Sequence, residues 1–308
     1  MKYELFRLEF QTGVHFGNHN LDESESGFRA DTLFSALFHE ALKMGDGRKE
    51  TLIAEVKAGK LLFSDGFPYI GDTCYLPKPM LKINDRKQES VGDSVIKKAY
   101  KKLNYIPLNK MKSYIDGNFD PVAEVDKIKK LGKNVLKASA SIKPGADTEP
   151  YHVGVYRFSD SGGLYVIGCF ATDEDEGLFK ELLTAVGYAG IGGKRTAGLG
   201  KFLIRDIRSI DTEPFKAEGK HGYLLLSVAL PRDYEMESAM EDARVTIRKR
   251  SGFIASSTYA ETYRKKKDLY IMQAGGVVKN KFAGDVYDVS DGGAHPVYRY
   301  AKPLFWAL

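Results

Sequence analysis

The residues of this 308-residue chain with the clearest chemical potential lie in one glycine-rich segment, residues 187–201, which reads GYAGIGGKRTAGLGK. Six glycines fall within fourteen residues, and the cations Lys194, Arg195 and Lys201 stand among and beside them. Glycine has no Cβ, so a polynucleotide backbone can approach it closely, while free N–H groups and cations attract anions. A plain helix-to-strand connection needs only one or two glycines, so the segment predicts a site for a phosphate-bearing ligand.

The segment does not fit the two common nucleotide-binding patterns. A P-loop would need a glycine where Tyr188 stands and Ser or Thr where Arg195 stands, and the GxGxxG fingerprint begun at Gly190 would also need a glycine at Arg195. Both patterns precede a helix, whose N-terminus favours an anion. Here the segment follows a predicted helix instead, which disfavours a small-molecule enzyme and favours a polynucleotide ligand.

The surrounding pattern predicts the elements that position this segment. Alternating residues predict strands, periodic apolar residues predict helices, and Asp31 and Gly45 are the expected N-cap and end of the first helix. The predicted elements are a strand at 3–10, a helix at 31–44, a strand at 61–63, a β-hairpin of strands 151–158 and 164–170, a helix from 172 or 173 to 187, and a strand at 201–208. This order is typical of a ferredoxin-like (RRM-like) domain.

A second unit is predicted after the polar stretch 211–221, which contains Pro214 and Gly219. Strand-like runs follow at 222–230, 244–248, 253–259 and 269–273, without clear helices. We therefore expect an α+β fold of two ferredoxin-like domains packed together. The N-terminal domain would span 1–210, and the C-terminal one, 211–308, would be a degenerate copy.

The net charge of +5 is concentrated in one stretch. Residues 81–150 hold 15 Lys and Arg against 9 Asp and Glu, so the rest of the chain is almost neutral. The stretch is poor in aromatic residues and indicates an insertion lying over the surface. It is either a solvated helical face or an arm that faces a polyanion.

Several classes of protein are disfavoured. The N-terminus lacks the apolar region of a signal peptide, and the apolar runs are too short to span a bilayer, so no membrane association and a cytoplasmic location are expected. The two cysteines, Cys74 and Cys169, are too few for a disulfide framework or a four-cysteine zinc site.

Six stretches resemble the RAMP superfamily of CRISPR proteins. They are residues 190–202 (GIGGKRTAGLGKF), 13–17 (GVHFG), 31–37 (DTLFSAL), 151–158 (YHVGVYRF), 249–260 (KRSGFIASSTYA) and 295–305 (HPVYRYAKPLF). The glycine-rich segment alone points to the superfamily. The whole set resembles the family of the fourth subunit of the Csm complex, the type III-A interference effector, and residues 81–150 match least well.

The resemblance implies a non-catalytic subunit without a cofactor. Such a subunit binds the repeat-derived 5′ tag of the CRISPR RNA (crRNA). It bridges the large polymerase-palm subunit, a cyclic oligoadenylate synthetase, and the backbone RAMP subunits, and so supports RNA-guided antiviral interference. The insertion resembles the thumb with which RAMP subunits separate guide and target bases, so target RNA is expected near it.

Single-stranded RNA is bound through stacking, base-edge hydrogen bonds and backbone contacts. The residues expected to supply these contacts are His15, Phe16, Gly17, Gly190, Ile191, Gly192, Gly193, Lys194, Arg195, Thr196, Gly198, Gly200, Lys201, Lys249, Arg250, Ser251, Gly252 and Phe253. Phe16 and Phe253 are expected to stack bases, although core packing explains Phe16 equally well. The cationic run 264–267 (RKKK) is interpreted as a solvated face.

His15 leaves an alternative function open. If it acts as general base on a 2′-hydroxyl, the chain is a RAMP endoribonuclease that processes precursor crRNA. A single histidine is more often a hydrogen-bonding residue, so we favour a contact of His15 with RNA or with the glycine-rich segment.

Overall fold

The computed structural model describes residues 1–18, 20–81, 93–141, 147–256 and 258–308. The elements of the N-terminal part are β1 (Lys2–Phe10), β2 (Phe16–Asn18), β3 (Asn20–Glu25), α1 (Ala30–Met44), α2 (Arg48–Ala58), β4 (Leu61–Phe63), β5 (Phe67–Ile70) and β6 (Thr73–Pro77). The following elements are α3 (Asp93–Lys102), β7 (Tyr105–Pro107), α4 (Met111–Ile115), α5 (Pro121–Ile128), β8 (Gly132–Ser141), β9 (Glu149–Phe158), β10 (Gly162–Phe170), α6 (Asp173–Ala189) and β11 (Phe202–Ser209).

The elements of the C-terminal part are α7 (Glu213–Lys216), β12 (Tyr223–Leu225), α8 (Met236–Met240), β13 (Ile247–Arg250), β14 (Leu269–Met272), β15 (Val277–Val278), β16 (Asp285–Asp288), β17 (Tyr298–Ala301) and β18 (Phe305–Ala307).

The main sheet has the strand order β11-β1-β10-β5-β6-β7, and β4 also pairs with β10. Strands β1, β4, β10 and β11, with α1 and α6 between them in sequence, follow the β-α-β-β-α-β order of a ferredoxin-like unit. Alternate residues of β1 point to opposite faces. Phe6 packs with α1 and α6, while Leu5 packs with the insertion and α7 on the other face. The glycine-rich segment connects α6 to β11 at the edge of this sheet.

The predicted hairpin of strands 151–158 and 164–170 is wrong. Strand β9 pairs with β8 over ten residues, from Gly132–Phe158 to Ser141–Glu149, whereas β10 pairs with β1, β4 and β5. The glycine-containing turn between β9 and β10 joins two different sheets. The reason is that β8, which comes earlier in the chain, offers β9 a partner of equal length.

Residues 81–150 do more than cover the surface. Leu103, Ile106, Met111 and Tyr114 are buried and join the second hydrophobic cluster, on the face of the main sheet opposite α1. Lysines separate these apolar residues in sequence, so their common face is hard to see without the fold. The segment also contains β8 and the start of β9. Residues 82–92 and 142–146 lie outside the described part.

The C-terminal part forms small sheets: a three-stranded sheet β15-β12-β18 and the pairs β13-β14 and β16-β17. It shares the main hydrophobic cluster, because Val228, Ile271 and Tyr300 pack in the same cluster as Phe6 and Phe34. The two parts of the chain therefore pack directly against each other. The boundary between two domains at residue 210 stays a prediction. Among the described residues no helix is long and apolar enough to cross a membrane.

Candidate RNA-binding site

The glycine-rich segment is held in place by residues 13–15. Val14 exchanges two backbone hydrogen bonds with Tyr156 of β9, at 2.8 and 2.9 Å. On the other side, the carbonyl of Gly13 accepts from the N–H of Gly200 at 2.9 Å, and that of His15 accepts from Gly193 at 2.8 Å. The segment is therefore anchored by backbone hydrogen bonds to a strip of β-like chain, which is itself paired with β9.

The glycines are needed for two distinct reasons. Gly192 has φ +95°, and a Cβ there would lie 2.7 Å from the His15 carbonyl oxygen and 2.9 Å from the Phe16 ring. Gly200 likewise leaves no room for a Cβ beside the backbone of Ile191. Gly198 has φ +83° but open space around it, so it satisfies only the backbone conformation. The close packing below the loop keeps its outer backbone at the surface.

Some of the loop N–H groups predicted to face RNA are used inside the protein. Gly190 donates to Val186 at 2.7 Å, Ile191 donates to Gly200 at 3.0 Å, and Gly193 donates to His15. The interpretation of these three N–H groups as ligand donors is therefore wrong. Ile191 has no exposed side chain and serves as the loop's core anchor.

Four other loop N–H groups have no acceptor among the described residues. They belong to Gly192, Lys194, Arg195 and Thr196. Lys194 adopts the left-handed conformation, φ +56° and ψ 30°, and successive N–H groups around such a residue form a concave anion site. The loop therefore presents three consecutive free donors, at residues 194–196, with two cationic side chains on the same residues.

The two cations of the loop have no carboxylate partner within the described chain. The Lys194 Nζ lies 5.1 Å from the centre of the Tyr151 ring, a cation–π contact that leaves its charge available. Arg195 is half-buried and makes no ion pair with the described residues. Lys201 is exposed, and its backbone N–H donates to the Thr12 hydroxyl at 3.1 Å. An anion would thus meet uncompensated positive charge here.

His15 lies beneath the loop and is 7% exposed. Its Nδ1 is 2.7 Å from the carbonyl oxygen of Gly154 and must donate there, so Nε2 is the acceptor nitrogen of the neutral ring. The predicted contact of His15 with the glycine-rich segment is confirmed. Neighbouring Gly17 is exposed, and the loop covers the imidazole.

Phe16 does not offer a stacking surface. Its side chain is 5% exposed, and its ring packs edge-on against Phe28, with centroids 5.6 Å apart, and against Phe10 at 6.3 Å. The interpretation that Phe16 stacks a base is therefore wrong, and core packing is its role. The aromatic residue of the second stretch differs, because Phe253 is 60% exposed.

The second predicted stretch, residues 248–253, has its cations paired internally. Both oxygens of Asp31 accept from Arg250, at 2.8 and 2.9 Å, and Arg299 donates to the same carboxylate at 2.8 Å. Lys249 pairs with Asp268 at 2.7 Å, and Arg248 pairs with Glu25 at 3.3 Å. The assignment of Arg250 to RNA is wrong, because its guanidinium ties the C-terminal part to α1.

Asp31 is not the N-cap of α1. Arg29 occupies the cap position, and the N–H of Ala30 donates to the carboxylate of Asp65 at 2.8 Å. Burial opposes ionisation of Asp31, but Arg250 and Arg299 outweigh it and hold the pKa of Asp31 below its usual range. The sequence did not predict the roles of Asp65 and Arg299. Nothing near either residue indicates its partner, which is the N–H of Ala30 for Asp65 and the carboxylate of Asp31 for Arg299.

The two basic stretches nevertheless lie around the same helix. Burial lowers the pKa of His39 on α1, and the nearby charges of Arg195 and Lys266 lower it further. Lys266 in turn lies near Arg250 and Arg299. Its backbone N–H donates to the Gly252 carbonyl at 2.8 Å, and the carbonyl of exposed Ser251 accepts from Arg299. Residues of both stretches therefore lie close to α1.

Comparison with known proteins agrees with this arrangement. The model of the RAMP superfamily matches residues 7–203, and that of the CRISPR Csm4 C-terminal domain matches residues 218–308. A CRISPR system protein Csm4 from Mycobacterium tuberculosis H37Rv is 37% identical over 310 residues, covering 100% of this chain and 98% of the relative. The chain belongs to the Csm4 family of the RAMP superfamily.

Other members of the family and solved structures agree. The Csm4 protein of Streptococcus thermophilus is 36% identical, covering 100% of this chain and 99% of the relative. The fold matches a chain of the Csm3-Csm4 subcomplex of a type III-A CRISPR-Cas interference complex, with a TM-score of 0.67 at 18% identity, over 100% of this chain and 99% of that one. A Csm1-Csm4 cassette in complex with cA4 gives 0.65 at 18% identity, over 100% and 98%. The predicted family and the RAMP fold are confirmed.

Proposed function

We propose that this Csm4-family chain is a non-catalytic RNA-binding subunit of a type III-A Csm effector and holds the 5′ tag of the crRNA at the glycine-rich loop. The observation that carries the proposal is the set of free N–H groups at residues 194–196, which coincide with the unpaired cations Lys194 and Arg195. A phosphate of the tag would accept hydrogen bonds from this backbone. Recognition of one RNA end then rests on local geometry, because the body of the chain is almost neutral.

The proposed partners are the large polymerase-palm subunit and the backbone RAMP subunits of the same complex. Two observations support them: the fold is shared with chains crystallised in a Csm1-Csm4 cassette and in a Csm3-Csm4 subcomplex. A chain that makes both contacts would bridge the two kinds of subunit, and this is the role we propose for it.

The β8–β9 hairpin is the part of the insertion we assign to target RNA. Lys133 and Lys137 are exposed on β8, and Leu136 between them is 63% exposed. Neutralising both lysines should weaken assembly on target RNA more than binding of the tag. If the substitutions weaken assembly on target RNA and binding of the tag by the same factor, the hairpin is not the thumb.

A direct test uses the chain reconstituted with the large and backbone subunits. An RNA carrying the 5′ tag should bind more tightly than an RNA of equal length with a scrambled tag. Lys194→Ala/Arg195→Ala should weaken binding of both RNAs, because phosphate contacts are lost whatever the base sequence. The control Lys216→Ala/Lys220→Ala removes two exposed lysines at or near α7, on the other face of the sheet, and should bind as tightly as the wild type. Equal binding of both RNAs by the wild type would overturn the proposal.

The structure gives the endoribonuclease alternative little support. His15 is buried, and Nδ1 is engaged with Gly154, so the ring would have to emerge to reach a 2′-hydroxyl. Repeat RNA incubated without metal should stay intact. A 2′,3′-cyclic phosphate product that disappears in His15→Ala would establish the alternative.

A further inference from the structure

The cationic run 264–267 lies against the second predicted stretch. Phe253 forms a β-bridge with Lys265, and Ile254 donates its N–H to the carbonyl of Arg264 at 2.9 Å. Together with the pairing of β13 and β14, residues 247–254 and 264–272 form one extended ribbon, which we call the C-terminal ribbon. Three of its four cations, Arg264, Lys265 and Lys267, are exposed, in agreement with the predicted solvated face. The fold also places the run beside a glycine and an exposed aromatic ring.

The tip of the C-terminal ribbon combines aromatic rings with free cations. Tyr263 at the tip is 91% exposed and Phe253 is 60% exposed. Arg264, Lys265 and Lys267 are exposed, and none of them pairs with a carboxylate in the described part of the chain. The Lys265 Nζ lies 5.6 Å from the centre of the Phe253 ring, which keeps a positive charge beside a ring that is open to solvent.

The loop between the two strands is firmly anchored below this tip. Ile254 and Tyr259 are buried, and the carbonyl of Tyr259 accepts from the N–H of Ala294 at 2.9 Å. The exposed rings of Phe253 and Tyr263 therefore belong to a segment that buried residues hold in place. Lys266, on the inner side of the ribbon, and Arg195 both lie near His39 of α1, and Arg250 of the ribbon binds Asp31 at the start of the same helix. The ribbon and the glycine-rich loop therefore both lie close to α1.

We infer that the C-terminal ribbon is a second RNA site, where nucleotides next to those at the glycine-rich loop stack their bases on Phe253 and Tyr263 while Arg264 and Lys265 contact phosphates. Sites for single-stranded nucleic acid combine aromatic platforms with cations in this way and tolerate any base. The cores of protein–protein interfaces are instead depleted of lysine. The inference rests on the proposed function for the position of the neighbouring nucleotides.

The test compares two RNA probes on the reconstituted complex. Both carry the 5′ tag, and they are extended either by uridines or by abasic nucleotides of the same number. The wild type should bind the uridine probe about tenfold more tightly, within the range that base–aromatic stacking produces. Phe253→Ala/Tyr263→Ala, which removes both platforms, should bind both probes equally, at the affinity of the abasic one, whereas Phe253→Tyr/Tyr263→Phe, which keeps two aromatic rings, should keep the difference. Tyr234→Ala, which removes an exposed tyrosine just before α8 and outside both proposed sites, is the matched control and should behave as the wild type.

Three results separate the possible failures. A Phe253→Ala/Tyr263→Ala variant that still prefers the uridine probe as strongly as the wild type would overturn the ribbon site. A variant that binds RNA normally but no longer assembles with the other subunits would also overturn it, and would make the tip a protein contact. If the wild type binds neither probe, the proposed function fails and the ribbon site fails with it.

Discussion

The glycine-rich loop and the stretch 248–253 look alike in sequence but place their charges differently. Each contains adjacent cations next to glycine. In the loop, Lys194 and Arg195 face no carboxylate of the described chain, and the backbone N–H groups beside them are free. In the second stretch, Asp31, Glu25 and Asp268 each take one of the three cations. The opposing carboxylates, and not the cations, decide which stretch remains available to an anion.

The same comparison explains why the two stretches differ in structural importance. The loop's cations lie outside the core, whereas Arg250 and Arg299 converge on one buried carboxylate at the start of α1. This cluster connects residues from the first and last parts of the chain. It therefore contributes to stability, whereas the loop's cations make no such buried pair within the described chain.

The largest effect should come from Asp31→Ala. Removing this carboxylate leaves two guanidinium groups, of Arg250 and Arg299, without their common partner, and breaking a buried ion pair typically costs about 3–5 kcal/mol. The free energy of unfolding, measured with urea, should fall by that amount. Asp126→Ala is the control, because it removes an exposed carboxylate paired with Lys129 and should change stability little. Similar losses in both variants would show that the buried cluster has no special role.

A smaller difference in the free energy of unfolding should separate two glycine variants, Gly252→Ala in the second stretch and Gly192→Ala in the loop. Gly252 has φ +137° and open space around it, so Gly252→Ala adds only backbone strain, about 1–3 kcal/mol. Gly192→Ala adds the same kind of strain and also a close contact with the His15 carbonyl and the Phe16 ring. Overpacking of this kind adds about 1–3 kcal/mol more. Thermal or urea unfolding of the two variants should rank Gly192→Ala as the less stable, and the reverse order would contradict the tight packing of the loop.

The free energy of unfolding should depend on pH through the two buried carboxylates at the start of α1, those of Asp65 and Asp31. Burial raises the pKa of Asp65 from 3.8 to about 7, despite hydrogen bonds from Ala30 and Val228 and the charge of Arg29. Between about pH 4 and 7 the folded state keeps this proton and the unfolded state loses it, so stability falls as pH rises through that window. Asp31 acts in the opposite sense, because its lowered pKa gives stability that is lost as pH falls below its usual value.

Asp65→Asn isolates this effect, since asparagine keeps the acceptor for both N–H groups but does not titrate. Urea unfolding at several pH values should show a flatter stability between pH 4 and 7 for Asp65→Asn than for the wild type. Parallel curves for the two proteins would show that Asp65 ionises normally in the folded state.

Much of the N-terminal fold was predictable from local patterns. Strand β1 and helices α1 and α6 follow from alternation and periodicity. The N-cap of α6 follows from Thr172, whose side chain forms a capping box with Asp175. The glycine-rich loop was also predictable as a site, because its glycines and cations are adjacent in sequence. Local rules describe these features because the interactions that form them lie within a few residues.

Interactions between distant residues were not predictable in this way. The partners of Asp31 come from positions 219 and 268 residues later, and no pattern near Asp31 indicates them. The pairing of β9 with β8 was not predictable either, because β8 lies in the lysine-rich stretch that was interpreted as a surface insertion. The burial of Phe16 was one of two readings that its sequence allowed. Only the fold shows which cations are neutralised and which rings are covered.

If the proposal is right, the free cations of the glycine-rich loop contact RNA phosphates and the paired cations of the second stretch do not. The measurement is the slope of log Kobs against log salt concentration for tag RNA and the reconstituted complex. Lys194→Ala/Arg195→Ala should reduce the slope by about 1.4, at about 0.7 for each lost single-strand phosphate contact. Arg248→Ala/Lys249→Ala removes the same charge from the second stretch and should leave the slope unchanged. An equal reduction in both variants, or a larger one in the second, would contradict the account.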